Sequence, residues 1–305
     1  MNEEHDEGRR PVVVGVDGSP DSDLALRWAC DEGRRRGVEV VALTVVPVYP
    51  AMAAPDGPAA VTEAEAILRA SLERVASGGL PVRAALVCAP PAPGLRSEAE
   101  RLDAALVVVG RRGAGRFSRM LVGSVSTALA HKPGRPLVIV PGPEPLPPTG
   151  ARQRILVGVD GSPAAAAALV WATHEAEVSG ATLDVLYAST EPVWGVTDRQ
   201  PLVDDGALGR PTLPELHQTL DALPASWRHE VDVRVATGDA GTLLLRNSTA
   251  YDLVVVGAPR PGSLRRRVFG SVSQSLARHC PVPVAIIPAG VTAREPGDLR
   301  LAAVG

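Results

Sequence analysis

Aromatic side chains are scarce in this sequence. Phe, Trp and Tyr together make up 3% of its 305 residues, so any core has to be assembled from Val, Leu, Ile and Ala. The three cysteines, Cys30, Cys88 and Cys280, form no CxxC and cannot all pair within one chain, which points to a reducing compartment. No His or Cys cluster has zinc spacing, and no apolar run approaches the length that spans a bilayer. The start, MNEEHDEGRR, is acidic and polar where a signal peptide would be basic and then apolar. An excess of one charge is lacking too: 31 Lys and Arg face 34 Asp and Glu, for a formal net charge of -3. That balance disfavours nucleic acid and acidic membrane surfaces as partners. Together these absences describe a cytoplasmic protein.

Catalytic signatures are missing as well. There is no GxxxxGK[ST], so the arrangement of Lys on phosphates and Ser or Thr on magnesium is absent, and Gly113 and Gly115 lack the third glycine of GxGxxG. Neither a GxSxG elbow nor an HExxH occurs. The six histidines are scattered, with no counterparts between the two halves of the chain. A binder without evident catalysis fits best.

What is present is a regular alternation of strand and helix patterns. Pro11 to Asp17 (PVVVGVD) reads as a parallel strand buried on both faces, followed by Ser19 and Pro20 as cap and first residue of a helix that stops at Gly37. The last turn of that helix holds Arg34, Arg35 and Arg36, either a docking patch or a solvated face that complements the helix dipole. Further strands are expected at Val38 to Val46, Val82 to Val87, Ala105 to Val109 and Leu137 to Val140. Helices are expected at Glu63 to Ala76, at Leu95 to Leu102 and from Ser124, with Pro47 to Ala60 a loop. This alternation predicts an α/β fold with a mostly parallel sheet.

The organising stretch is Ala105 to Ser126. An apolar strand ends in Gly110; after two residues comes Gly113, and after nine more Gly123, where Ser124 opens a helix. Glycines let a loop take φ > 0 and approach a ligand, and the unpaired N–H groups of a helix start favour an anionic group such as phosphate. A nucleotide is the expected ligand. The first strand and this loop both end on the edge of the sheet where such ligands bind. Asp17 on that edge either accepts hydrogen bonds from a base or ribose, or closes an Asx turn with Ser19. Arg111, Arg112, Arg116 and Arg119 ride on the loop, where one can reach phosphates while the others are solvated.

The frame then repeats. VGVDGSP at Val14 to Pro20 recurs letter for letter at Val157 to Pro163, and the frame of ALVVVG and GSVS returns as DLVVVG and GSVS at Asp252 to Ser273, with Gly257 and Gly270 spaced as Gly110 and Gly123 are. The chain is a tandem duplication: residues 1–141 and 153–288 form two domains, joined by a proline-rich linker at 142–152, and 289–305 is a tail with weak periodicity, expected to be loosely held. Second-half strands are expected at Thr182 to Ala188, Glu230 to Ala236, Leu253 to Val256 and Val284 to Ile287, with a short helix near Glu215 to Ala222. Ser189 to Pro214 reads as a long loop, either mobile or a lid.

The glycine spacing, together with GVDGS and GSVS, resembles the universal stress protein family in its tandem two-domain form, over nearly the whole chain. The resemblance implies two Rossmann-like domains, each a five-stranded parallel sheet of order 3-2-1-4-5 flanked by helices. It also implies ATP as ligand, with or without magnesium, and a regulatory role in stress or dormancy without a firmly assigned reaction. A homodimer or a regulatory protein is the implied partner. Residue by residue, Asp17 and Val45 would flank adenine and ribose, Gly110 and Gly113 would line the ribose and phosphate path, and Gly123, Ser124, Val125 and Ser126 would hold phosphates. In the second half Asp160, Ala188, Gly257, Gly270, Ser271, Val272 and Ser273 stand at the matching places. There Arg260, between Pro259 and Pro261, replaces the middle glycine, which sets the second site apart. Two other readings stand beside this one: a slow ATP-hydrolysing enzyme of the adenine nucleotide α-hydrolase type, and an interaction module with vestigial pockets.

Overall fold

A computed structural model describes residues 10–48, 57–75, 79–114, 122–142, 153–189, 214–223, 225–227, 231–258, 271–294 and 298–301. Two compact units divide the chain. The first carries β1 (Val12–Gly15), α1 (Pro20–Arg36), β2 (Val40–Val46), α2 (Gly57–Arg74), β3 (Val82–Cys88), α3 (Pro91–Arg101), β4 (Leu106–Gly110), α4 (Ser124–His131) and β5 (Leu137–Val140). Its strands lie in the order β3-β2-β1-β4-β5, all parallel, as the resemblance implied. Val12, Val13 and Val14 are wholly buried, because helices cover both faces of the central strand.

Local chemistry sets the ends of α1. The Ser19 hydroxyl accepts the N–H of Ser22, Pro20 takes the first turn, and Gly37 closes the helix at φ 64°. The three arginines of the last turn are engaged within the helix: Arg34 pairs with Asp31, while Arg35 and Arg36 both pair with the fully buried Glu32. They are neither a free docking patch nor simply solvated.

The second unit carries β6 (Arg154–Val159), α5 (Pro163–Ser179), β7 (Thr182–Ser189), α6 (Pro214–Leu220), β8 (Asp232–Thr237), α7 (Ala240–Ser248), β9 (Leu253–Ala258), α8 (Ser271–His279), β10 (Val284–Pro288), β11 (Val291–Arg294) and β12 (Asp298–Leu301). Strands β10, β9, β6, β7 and β8 are neighbours in that order and parallel, which is the first unit's topology again.

Several elements depart from expectation. Helix α2 begins at Gly57 and α3 at Pro91, earlier than the apolar spacing indicates, because prolines are tolerated in a first turn whose N–H groups have no helical partner. Helix α7 was not expected; Asp239 caps it through the N–H of Thr242 at 2.8 Å. The tail forms an antiparallel hairpin, β11 with β12, and β11 packs on α5. The proposed lid and most of the linker lie outside the described residues.

Helix α5 has apolar residues nearly all round, from Ala164 to Ala176, with Trp171 wholly buried at its centre. Trp171→Ala is expected to lower the stability of the second unit by about 3–5 kcal/mol. Urea denaturation followed by far-UV circular dichroism would measure this, and a loss below about 1 kcal/mol would contradict the packing described.

Candidate functional site

Strand β1 lies between β2 and β4, and the connections from its two neighbours run to opposite sides. A crevice opens at such a switch point, beyond the carboxyl ends of the strands. After β1 the chain turns sharply: Gly18 has φ 80°, and Asp17 Oδ1 accepts the N–H of Ser19 at 3.0 Å. The Asx-turn reading of Asp17 therefore holds. Its other oxygen is also engaged, accepting the N–H of Ala114 in the glycine loop at 2.9 Å. The Thr44 hydroxyl donates to the Val16 carbonyl at 2.9 Å and fixes β2 against the end of β1.

The glycine loop is tied down at both ends. Arg111 donates its N–H to the Val140 carbonyl, and Gly123 donates its N–H to the Arg111 carbonyl, each at 2.8 Å. The Ser126 hydroxyl donates to the carbonyls of Gly110 at 2.7 Å and Arg111 at 3.2 Å, so this buried serine latches the first turn of α4 to the end of β4. The first intrahelical bond of α4 runs from the Thr127 N–H to the Gly123 carbonyl, leaving Ser124, Val125 and Ser126 as the helix start.

The glycines are needed for a different reason than the sequence implies. Positive φ is found at Gly18 and not at Gly110, Gly113 or Gly123. What these three require is space. A Cβ on Gly110 would lie 2.6 Å from the Asp21 carbonyl carbon, one on Gly123 would lie 3.3 Å from the Arg111 oxygen, and one on Gly113 would collide with Asp17 Oδ2. Of the loop arginines, Arg112 pairs with Asp21 at 3.4 Å, while Arg116 and Arg119 lie outside the described residues.

These pieces enclose a cavity of about 400 Å³. Asp17, Val45, Gly110, Gly113, Gly123, Ser124, Val125 and Ser126 all border it. Its lining is apolar at Leu43, Val45, Pro47, Pro91 and Leu95 and is completed by the glycine loop and the start of α4. Pro91 and Leu95 escaped the sequence reading because nothing in their spacing distinguishes a cavity wall from an ordinary helix start. The volume lies within the range of small-molecule sites, roughly 300–1,000 Å³. Among the described residues, no group of three or more His, Cys, Asp or Glu could hold a metal ion.

The second unit repeats much of this scaffold. Asp160 Oδ1 accepts the N–H of Ser162 at 3.0 Å, Gly161 has φ 79°, and a Cβ on Gly257 would collide with the backbone of Ala164. Ala188 lies in β7, while Ser271, Val272 and Ser273 begin α8, with Ser273 buried as Ser126 is. Gly270 and the segment from Pro259 to Pro261 lie outside the described residues.

A sequence model of the universal stress protein family matches residues 8–141 and again residues 151–288. The chain belongs to the universal stress protein family. A universal stress protein of Mycolicibacterium smegmatis is 31% identical over 299 residues, covering 90% of this chain and 96% of that one. A universal stress protein of Mycobacterium tuberculosis is 30% identical over 293 residues, again with 90% and 96% covered. The crystal structure of a universal stress protein from Archaeoglobus fulgidus matches with a TM-score of 0.69 at 22% identity, covering 92% of this chain and 98% of that one; the likeness is one of fold.

The two kinds of glycine contact predict unequal costs. Gly110→Ala meets main chain that cannot move aside, and overpacking of this kind costs about 1–3 kcal/mol. Gly113→Ala meets only the tip of the Asp17 side chain and should cost less than half as much. Urea midpoints of the two variants measure the difference; equal midpoints would reject this assignment.

Proposed function

We propose that the first unit binds an adenine nucleotide, ATP with or without magnesium, and that the protein is a nucleotide-dependent regulator in a stress or dormancy response rather than a catalyst. The observation that carries this reading is the cavity whose lining joins apolar Val45 and Pro91 to the glycine loop and the first turn of α4. The apolar lining suits a purine face, and the loop main chain suits the path from ribose to phosphates. Helix-start N–H groups suit phosphate oxygens. The residues present thus fit ATP. Magnesium finds no built protein site among the described residues and would be held by the phosphates themselves.

Hydrolysis is the weaker reading. Asp17 is the one carboxylate among the described residues bordering the cavity, and each of its oxygens already accepts a main-chain N–H. No histidine is among those residues, so a general base for water has no candidate side chain there. A module of this kind would act in the cytoplasm through a second copy of itself or a regulatory protein partner.

The second site is the weaker of the two in this reading, because Pro259 and Pro261 lack N–H groups and Arg260 fills the place of Gly113. One lost hydrogen bond to a charged phosphate is worth roughly 1.5–3 kcal/mol, tenfold or more in affinity. Calorimetric titration of the full chain with ATP is expected to resolve a tight and a weak site, the tight one weakened at least about tenfold by Gly113→Val. Two equal sites would reject the inequality, and no binding at all would reject the nucleotide reading. Phosphate release at a rate matching binding and exchange would favour the hydrolase.

A further inference from the structure

Asp21 stands outside the glycine motif, in the first turn of α1, yet the glycine loop closes upon its carboxylate. The side chain is 7% exposed. Its Oδ2 accepts the main-chain N–H of Arg112 at 3.0 Å and the Arg112 Nε–H at 3.4 Å. The chain leaving β5 seals the other side, for a Cβ on Gly142 would lie 2.6 Å from the Arg112 guanidinium and 3.1 Å from Asp21 Oδ1. A carboxylate taken this far out of water is costly unless charge and hydrogen bonds compensate it. Here a single loop residue supplies both. Arg112 borders the cavity, and two residues on, Ala114 gives its N–H to Asp17.

We propose that Asp21 is a positioning residue for the nucleotide site, anchoring the glycine loop at Arg112 so that its main chain is in place before a phosphate-bearing ligand arrives. The inference rests on the nucleotide reading above. A loop ordered in advance spares the ligand the cost of ordering it, and so binds more tightly.

The second half carries a complementary observation. The residue matching Asp21 is Ala164, and the residue matching Arg112 is Pro259, which has neither an N–H nor a guanidinium to give. Donor and acceptor are missing together. The anchor exists only in the half whose loop has something to donate.

The test uses full-length Asp21→Ala and Asp21→Asn. Amide hydrogen exchange at residues 111–114 is measured without nucleotide, and ATP and adenosine are titrated into the same proteins. Asp21→Ala should speed exchange at Arg112 to Ala114 while β1 and β4 keep theirs. It should also weaken ATP about tenfold, the worth of one charge-assisted hydrogen bond, and leave adenosine within about twofold. Asp21→Asn, whose amide oxygen can still accept the Arg112 N–H, should fall between wild type and Asp21→Ala on both readouts; if Asp21→Ala does not fold, it carries the comparison. Unchanged loop exchange overturns the anchor whether or not ATP binds. Equal losses for ATP and adenosine overturn its role at the phosphate end. A wild-type chain that binds no ATP overturns the nucleotide reading, and the positioning role with it.

Discussion

The first turn of α1 lies so close to the end of β4 that position 110 has no room for a side chain, and the geometry of the first unit's crevice follows from this contact. Bringing a helix start down on a strand end places Asp21 beside the glycine loop and Ser19 within 3.4 Å of the Arg112 carbonyl. The described part of the loop, the ends of β1 and β2 and the start of α4 together border the cavity. The second unit obeys the same constraint, with Gly257 against the backbone of Ala164. A larger residue at either glycine would push the helix off the sheet and open the crevice.

The two units meet this common demand with different helices. Outward positions of α1 carry charge, and the Asp31–Arg34 and Glu32–Arg35–Arg36 pairs occupy its last turns. Its counterpart α5 has no comparable polar face; Ala, Leu and Trp surround it, and a helix apolar all round must be covered on more than one side. The sheet strands β6, β9 and β10 pack on it, and so do α6 and β11. The tail hairpin is therefore part of the second unit's packing.

The strand-helix alternation and the duplication were legible because each rests on a local and repeated pattern: buried valine runs, Ser-Pro helix starts and glycines at strand ends; the sheet order and the ring of residues around the first cavity came from the family resemblance that those patterns carry. What was illegible depends on space between segments far apart in sequence. Nothing local says that Gly110 is a glycine because of Asp21, or that Gly113 faces Asp17 with φ outside the left-handed region. Helix α7 and the β11–β12 hairpin are too short to show a period, and Pro91 and Leu95 look like any helix start. The Glu32 pairs were hidden for another reason: a glutamate one turn before arginines reads as surface chemistry until the fold buries it.

Comparison of the two halves separates the glycines that the scaffold needs from those that it does not. Gly110 and Gly257 both face main chain, and both halves keep glycine there. Gly113 faces only a carboxylate tip, and its counterpart is Arg260. If the middle glycine served folding alone, the second half would be under the same compulsion to keep it, since the Asp17 turn is reproduced at Asp160. On the nucleotide reading proposed above, the demand for glycine at 113 is the close passage of the loop main chain beside Asp17 at the cavity, and the second half has neither that glycine nor a counterpart of Asp21.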